Sequence, residues 1–151
     1  MKSIKNILAF TFLIFVFFIS GCGSHHGDDK SVADKQLDKL NFVWKSSGVT
    51  LDGAAKDTYT NFKLTFSGVQ GSKVFGFAAE GRPSLSPWPL SGTFTFDDGA
   101  PQTKLLRDDK LPVTYELTET TLTMRFTYAV AGFQGRVGAV KGQWEFKFVK
   151  Q

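Results

Sequence analysis

The sequence predicts an all-β domain, an about eight-stranded antiparallel meander barrel, with a two-sheet β-sandwich as the alternative. Three observations predict it. From residue 42 to the C-terminus bulky apolar residues recur at every second position; turn-forming residues punctuate the runs; and no helical period there is long enough for a βαβ crossover, nor is there an internal repeat.

Ser31 to Leu40 precedes the alternation and suits one or two helical turns, with Ser31 as the cap and Leu37 and Leu40 as apolar contacts. Phe42 and Trp44 then open the first strand. Phe62, Leu64 and Phe66 alternate with Lys63 and Thr65, Phe75 and Phe77 flank Gly76, and Phe94 and Phe96 flank Thr95. A weaker run covers Thr103 to Arg107. Val113, Tyr115 and Leu117 follow, then Leu122, Met124, Phe126 and Tyr128, then Trp144, Phe146 and Phe148. Each set places bulky groups on one strand face and polar groups on the other, the pattern of half-buried antiparallel sheet. Turns are expected at Ser47-Gly48, Asp52-Gly53, Gly68 with Gly71, Asp97 to Pro101, and Asp108 to Lys110. Closing such a meander into a barrel removes the exposed edges that invite aggregation.

The chain has 151 residues, 42% of them hydrophobic, enough for one core and too few for two. A net charge of +4, with Lys and Arg spread along the chain, does not point to nucleic acid. One cysteine, Cys22, rules out an intramolecular disulfide and a multi-cysteine zinc site. His25 and His26, with Asp28 and Asp29, carry ligand types for a divalent metal, but in a polar tether they read better as solvated side chains.

The N-terminus has the layout of a secretory signal: Lys2 and Lys5, an apolar run from Ile7 to Ile19, then Ser20 and Gly21 before Cys22. Thirteen apolar residues rise only about 20 Å as a helix, short of a span. Ile19-Ser20-Gly21-Cys22 resembles the lipobox of bacterial lipoproteins. The resemblance implies a Cys22 thiol joined to diacylglycerol, cleavage before Cys22, and acylation of the new amino group. Gly23, in place of the aspartate that retains lipoproteins at the inner membrane, implies sorting to the outer membrane; Asp28-Asp29 loosely resembles surface-export signals. The expected organisation is a signal peptide over 1–21, a flexible tether over 22–36 and the barrel over 37–151. Cleavage removes Lys2 and Lys5, leaving a balance of +2.

Asn41-Phe-Val-Trp44, Tyr59 to Phe66 and Trp88 to Phe96 resemble strands of lipocalin-like lipoprotein domains of Gram-negative envelopes, over most of residues 40 to 149. Phe42 stands where true lipocalins carry the glycine of their early glycine-x-tryptophan motif. The resemblance implies a barrel with a binding cup, and eight strands either fill with side chains or hold one small ligand. Both options remain open, because the inward positions are mostly Phe, Trp, Tyr or Leu.

Two irregular stretches attract functional interest. In Glu80 to Leu90, three prolines flank Trp88, which either stands out as a flat apolar surface or folds back to plug the barrel. Ala131 to Gly142 carries four glycines around Phe133, as a mobile lid or a long hairpin loop; it lacks the strand-to-helix context of a phosphate loop. Trp44, Trp88, Tyr115, Phe133 and Trp144 are the candidate ligand or partner contacts. Catalysis is not indicated: Asp97-Asp98 and Asp108-Asp109 fall in turns, and no histidine follows residue 26. No cofactor is implied. The expected function is non-catalytic binding of a hydrophobic or amphiphilic small molecule at the outer membrane; the alternative is an accessory or structural envelope protein that binds another protein through exposed loops. Replacing Cys22 with serine is expected to move the chain from the membrane to the soluble fraction; continued membrane association would refute the anchor.

Overall fold

The computed structural model describes residues 30–129 and 140–151. In chain order its elements are α1 (Val32–Leu40), β1 (Val43–Leu51), β2 (Ala54–Ala55), a 3₁₀ turn at Asp57–Tyr59, β3 (Lys63–Ser67), β4 (Val74–Glu80), β5 (Ser91–Phe96), β6 (Lys104–Arg107), β7 (Pro112–Leu117), β8 (Thr121–Tyr128) and β9 (Gly142–Lys150). Strands β3 to β9 pair antiparallel in order, and β1 pairs with both β3 and β9. The result is a closed eight-stranded antiparallel barrel plus the short strand β2. The expected barrel, rather than the sandwich, is the fold.

Closure depends on how β1 divides its two edges. Val43 to Lys45 pair with Thr65 to Lys63 of β3, while β9 runs beside β1 from Trp44↔Lys150 to Leu51↔Trp144. Between Ser46 and Gly48 the register shifts by one residue. Such a bulge bends a strand and increases its twist. Ser47-Gly48, expected as a turn, is therefore a kink inside β1 that carries the strand past β3. The Asp52-Gly53 turn is as expected: both residues have positive φ, 51° and 80°, suited to a two-residue hairpin loop that returns as β2.

Helix α1 covers one end of the barrel. Ser31 accepts a bond from the Asp34 backbone N–H at 3.1 Å, and Leu37 and Leu40 are buried. The Trp44 indole N–H donates to the Leu40 carbonyl at 2.9 Å, tying the last helical turn to β1. Asp34 also accepts from the Gly71 N–H at 2.6 Å, so the β3–β4 turn is pinned to the helix. At Gly68 a Cβ would lie 2.7 Å from that of Phe75 and 2.9 Å from a Leu37 methyl, so a glycine is needed for this close approach. Because α1 starts at Val32, regular structure begins inside the stretch 22–36 expected as tether.

Phe42 was expected to face inward with Trp44. It lies before the strand begins, is 39% exposed, and is covered by the Lys150 ammonium 3.1 Å from its ring centroid. The extended phase starts only at Val43, so an inward face cannot be extrapolated back to residue 42. Leu40→Ala is expected to lower stability by about 2–5 kcal/mol, the usual range for a buried leucine. A lower urea midpoint at unchanged slope would report it.

Candidate functional site

Period two sends Phe62, Phe66, Phe75, Phe77, Phe94 and Phe146 into the barrel, and all are essentially buried. Among them sits a ring from outside the strands. Trp88, in the irregular segment between β4 and β5, is only 1% exposed and lies 5.6 to 6.1 Å, centroid to centroid, from Phe62, Phe77, Phe94, Phe126 and Phe146. The plugged arrangement is the one found. Aromatic pairs in this range favour edge-on over face-to-face contact, and four of these five are edge-on and the fifth tilted. The loop is held by Ser86, whose hydroxyl accepts from the Trp88 N–H at 3.1 Å and from the Tyr59 hydroxyl at 3.1 Å. Burial raises the Tyr59 hydroxyl above its ordinary value, which keeps that donor protonated. With Trp88 anchored inside, Leu85 and Leu90 of the same loop stand 50% and 66% exposed.

The other aromatic candidates are also internal, but they do not form one site. Trp44 and Tyr115 lie at the α1 end; the Tyr115 hydroxyl donates to the Pro101 carbonyl at 2.5 Å, and burial holds its pKa above the usual range. Trp144 lies toward the opposite end, where its indole N–H donates to the Val140 carbonyl at 2.7 Å. Cys22, His25, His26 and Phe133, with most of the Ala131 to Gly142 stretch, fall outside the described residues. Trp88 is therefore neither an exposed platform nor part of an aromatic-lined cup.

Among the described residues, one charged side chain enters this interior. Arg107 ends β6, shares the inward face with Leu105, and is 1% exposed. Its Nε and Nη2 donate to the two oxygens of Asp109 at 2.9 and 2.6 Å, and its guanidinium carbon lies 5.4 Å from the Trp88 centroid and 5.8 Å from that of Phe126. A cation on aromatic faces is worth up to about 2 kcal/mol when desolvated. Two donors at this spot have no hydrogen-bond partner among the described residues: Arg107 Nη1 and Trp88 Nε1. The indoles of Trp44 and Trp144, by contrast, are both satisfied. Buried unsatisfied donors cost about 1–3 kcal/mol each, so this spot is costly to the core. Sequence reasoning passed over Arg107, although its phase with Leu105 in the weak Thr103 to Arg107 run was the available signal.

The turn carboxylates hold backbone. Asp97 Oδ1 accepts from the N–H groups of Gly99 and Ala100, and Asp108 Oδ2 from that of Thr93. Asp109 differs from them, because Arg107 beside it holds its carboxyl below the usual carboxylate range. Among the described residues, no three His, Cys, Asp or Glu side chains gather as a metal site, and no helix is long and apolar enough to cross a membrane. On the outer wall, a groove of about 900 Å³ crosses β6 to β9. Arg125 there bonds Glu116 at 2.5 Å and Glu145 at 2.6 Å, an ion cluster bridging β7, β8 and β9. No protein-family model matches the chain, and no curated protein and no solved structure matches it significantly.

Two outcomes follow from the Arg107–Asp109 pair. Arg107→Met is expected to leave stability unchanged or raise it, since it removes an orphaned donor and keeps apolar volume, whereas Asp109→Ala should lower it by about 1.5–3 kcal/mol by stranding the guanidinium. Because the folded Asp109 carboxyl is depressed, its contribution is present above about pH 4 and is lost as pH falls through the folded value. Thermal melts from pH 7 to pH 3 should show this loss in the parent and a shallower slope in Arg107→Met; identical slopes would refute it.

Proposed function

We propose that this chain is a lipid-anchored envelope protein, held through Cys22, whose filled barrel is a non-catalytic scaffold that presents the 81–90 loop to a partner protein. The observation that carries this reading is the seat of Trp88 inside the barrel, which fills the space a guest would need and fixes the loop that exposes Leu85 and Leu90. Pro83, Pro87 and Pro89 stiffen the segment further, so little conformational entropy is lost when it docks. A preorganised apolar loop on a rigid support is a common basis for specific recognition. The outer membrane is the proposed location, on the lipobox-like motif and Gly23.

A second reading keeps the small hydrophobic or amphiphilic ligand. Its support is Arg107 Nη1, a buried donor without a partner among the described residues, which a ligand's acceptor group would satisfy in the space Trp88 leaves if the loop withdrew. Native mass spectrometry with lipid extraction, on protein purified from its own membranes, separates the two. The scaffold reading expects no stoichiometric small molecule; a reproducible one-to-one hydrophobic adduct would replace it with a carrier. A photocrosslinker at Leu90 in intact cells is expected to give one discrete protein adduct, weakened by Leu85→Asp, with folding stability within about 0.5 kcal/mol of the parent because the site is exposed. Absence of any adduct would count against the scaffold.

A further inference from the structure

The two ends of the barrel differ in what they expose. The end opposite α1 carries the 81–90 loop. The α1 end carries Val32, 43% exposed in the first helical turn, Val69, 72% exposed in the β3–β4 turn, and Val74, 49% exposed at the start of β4. These valines lie at the same end, where the turn is pinned to the helix by the Gly71 N–H on Asp34 and by Gln70 Nε2 on Asp38 Oδ1 at 3.0 Å. Between helix and turn runs a groove of about 510 Å³ with an apolar wall of Val32, Ala33, Phe96 and Pro101. Of the carboxylates here, Asp34 accepts from Ser31 and Gly71, Asp38 from Gln70 and Lys30, Asp97 from the Gly99 and Ala100 N–H groups, and Asp98 pairs with Lys73, while Lys35 and Lys39 on the helix have no ion-pair partner among the described residues. Exposed apolar side chains gain free energy where an apolar phase covers them.

The chain supplies such a phase. Residue 30 enters the fold at this end, and only eight peptide units separate it from Cys22, a reach of at most about 30 Å whatever conformation they adopt. An anchor at that distance holds this end near the bilayer at a high effective concentration, so contacts too weak to bind by themselves become occupied. Resting on the anchored reading above, we propose that the α1 end of the barrel sits directly on the lipid surface, with Val32, Val69 and Val74 in the headgroup layer. The valines supply apolar contact, and Lys35 and Lys39 meet phosphates. The 81–90 loop then points away from the membrane, toward its partner.

The test uses the full lipidated chain, reconstituted in vesicles of phosphatidylethanolamine and phosphatidylglycerol containing a spin-labelled phospholipid quencher. The lipid consumes the Cys22 thiol, so a single introduced cysteine, Val69→Cys or Leu90→Cys, takes a bimane fluorophore uniquely. Bimane at 69 should be quenched several-fold more than bimane at 90. In a second pair, Val69→Asp should reduce quenching of bimane at Val74→Cys without changing the far-ultraviolet spectrum. Protein that floats with the vesicles but shows equal, weak quenching at 69 and 90 overturns the docking and leaves the anchor standing. Stronger quenching at 90 overturns the orientation. Protein that fails to float removes the anchor, and the docking with it.

Discussion

Pairing of β9 with β1 is the constraint on which the rest of the structure depends. It turns an antiparallel meander into a closed surface and so fixes an interior volume. The seam is possible because β1 bends at the Ser46/Gly48 bulge and gives its first residues to β3 and most of its length to β9. Once closed, the barrel needs its volume filled and its ends covered. Inward rings from the strands fill the walls, Leu37 and Leu40 of α1 cover one end, and Trp88 enters between β4 and β5 to occupy the rest. A barrel with that ring withdrawn would leave five phenylalanines facing a void, which close-packed interiors tolerate poorly.

That arrangement has a polar exception. Arg107 enters an aromatic interior and is made tolerable by Asp109, two residues on, and by the faces of Trp88 and Phe126. Paired, the guanidinium is neutralised across a half-exposed carboxylate; its remaining donor and that of Trp88 have no partner among the described residues. The proposed function and stability meet here, because the loop that fills the core is the same loop that shows Leu85 and Leu90 to the outside.

Much of the fold was legible in the residues, since period two needs only the local pleat. Every alternating apolar run named from residue 42 onward lies on or beside a strand, Ser31 caps the helix, and Asp52-Gly53 turns the β1–β2 hairpin. The misreadings arose where local rules were extended past their reach. Phe42 was assigned an inward face from the spacing of the following strand, and Ser47-Gly48 was assigned a turn although pairing on both sides keeps it in β1 as a bulge. The candidate site was less legible. Trp44, Tyr115 and Trp144 were placed on the inward face correctly, but inward residues on different strands and at different heights are brought together, or kept apart, only by shear and closure.

By itself the sequence determined the alternation, the turns and the helix cap, because each is a property of residues within a few positions of one another. It also determined that Arg107 shares a face with Leu105. What only the tertiary structure decided is the fate of groups whose environment comes from distant chain: that Trp88 is a plug rather than a platform, that Arg107 lies under its ring, and that Leu85 and Leu90 remain outside. A tryptophan between prolines has no local preference for core or surface. The choice is made by the volume that β1 and β9 enclose when they pair.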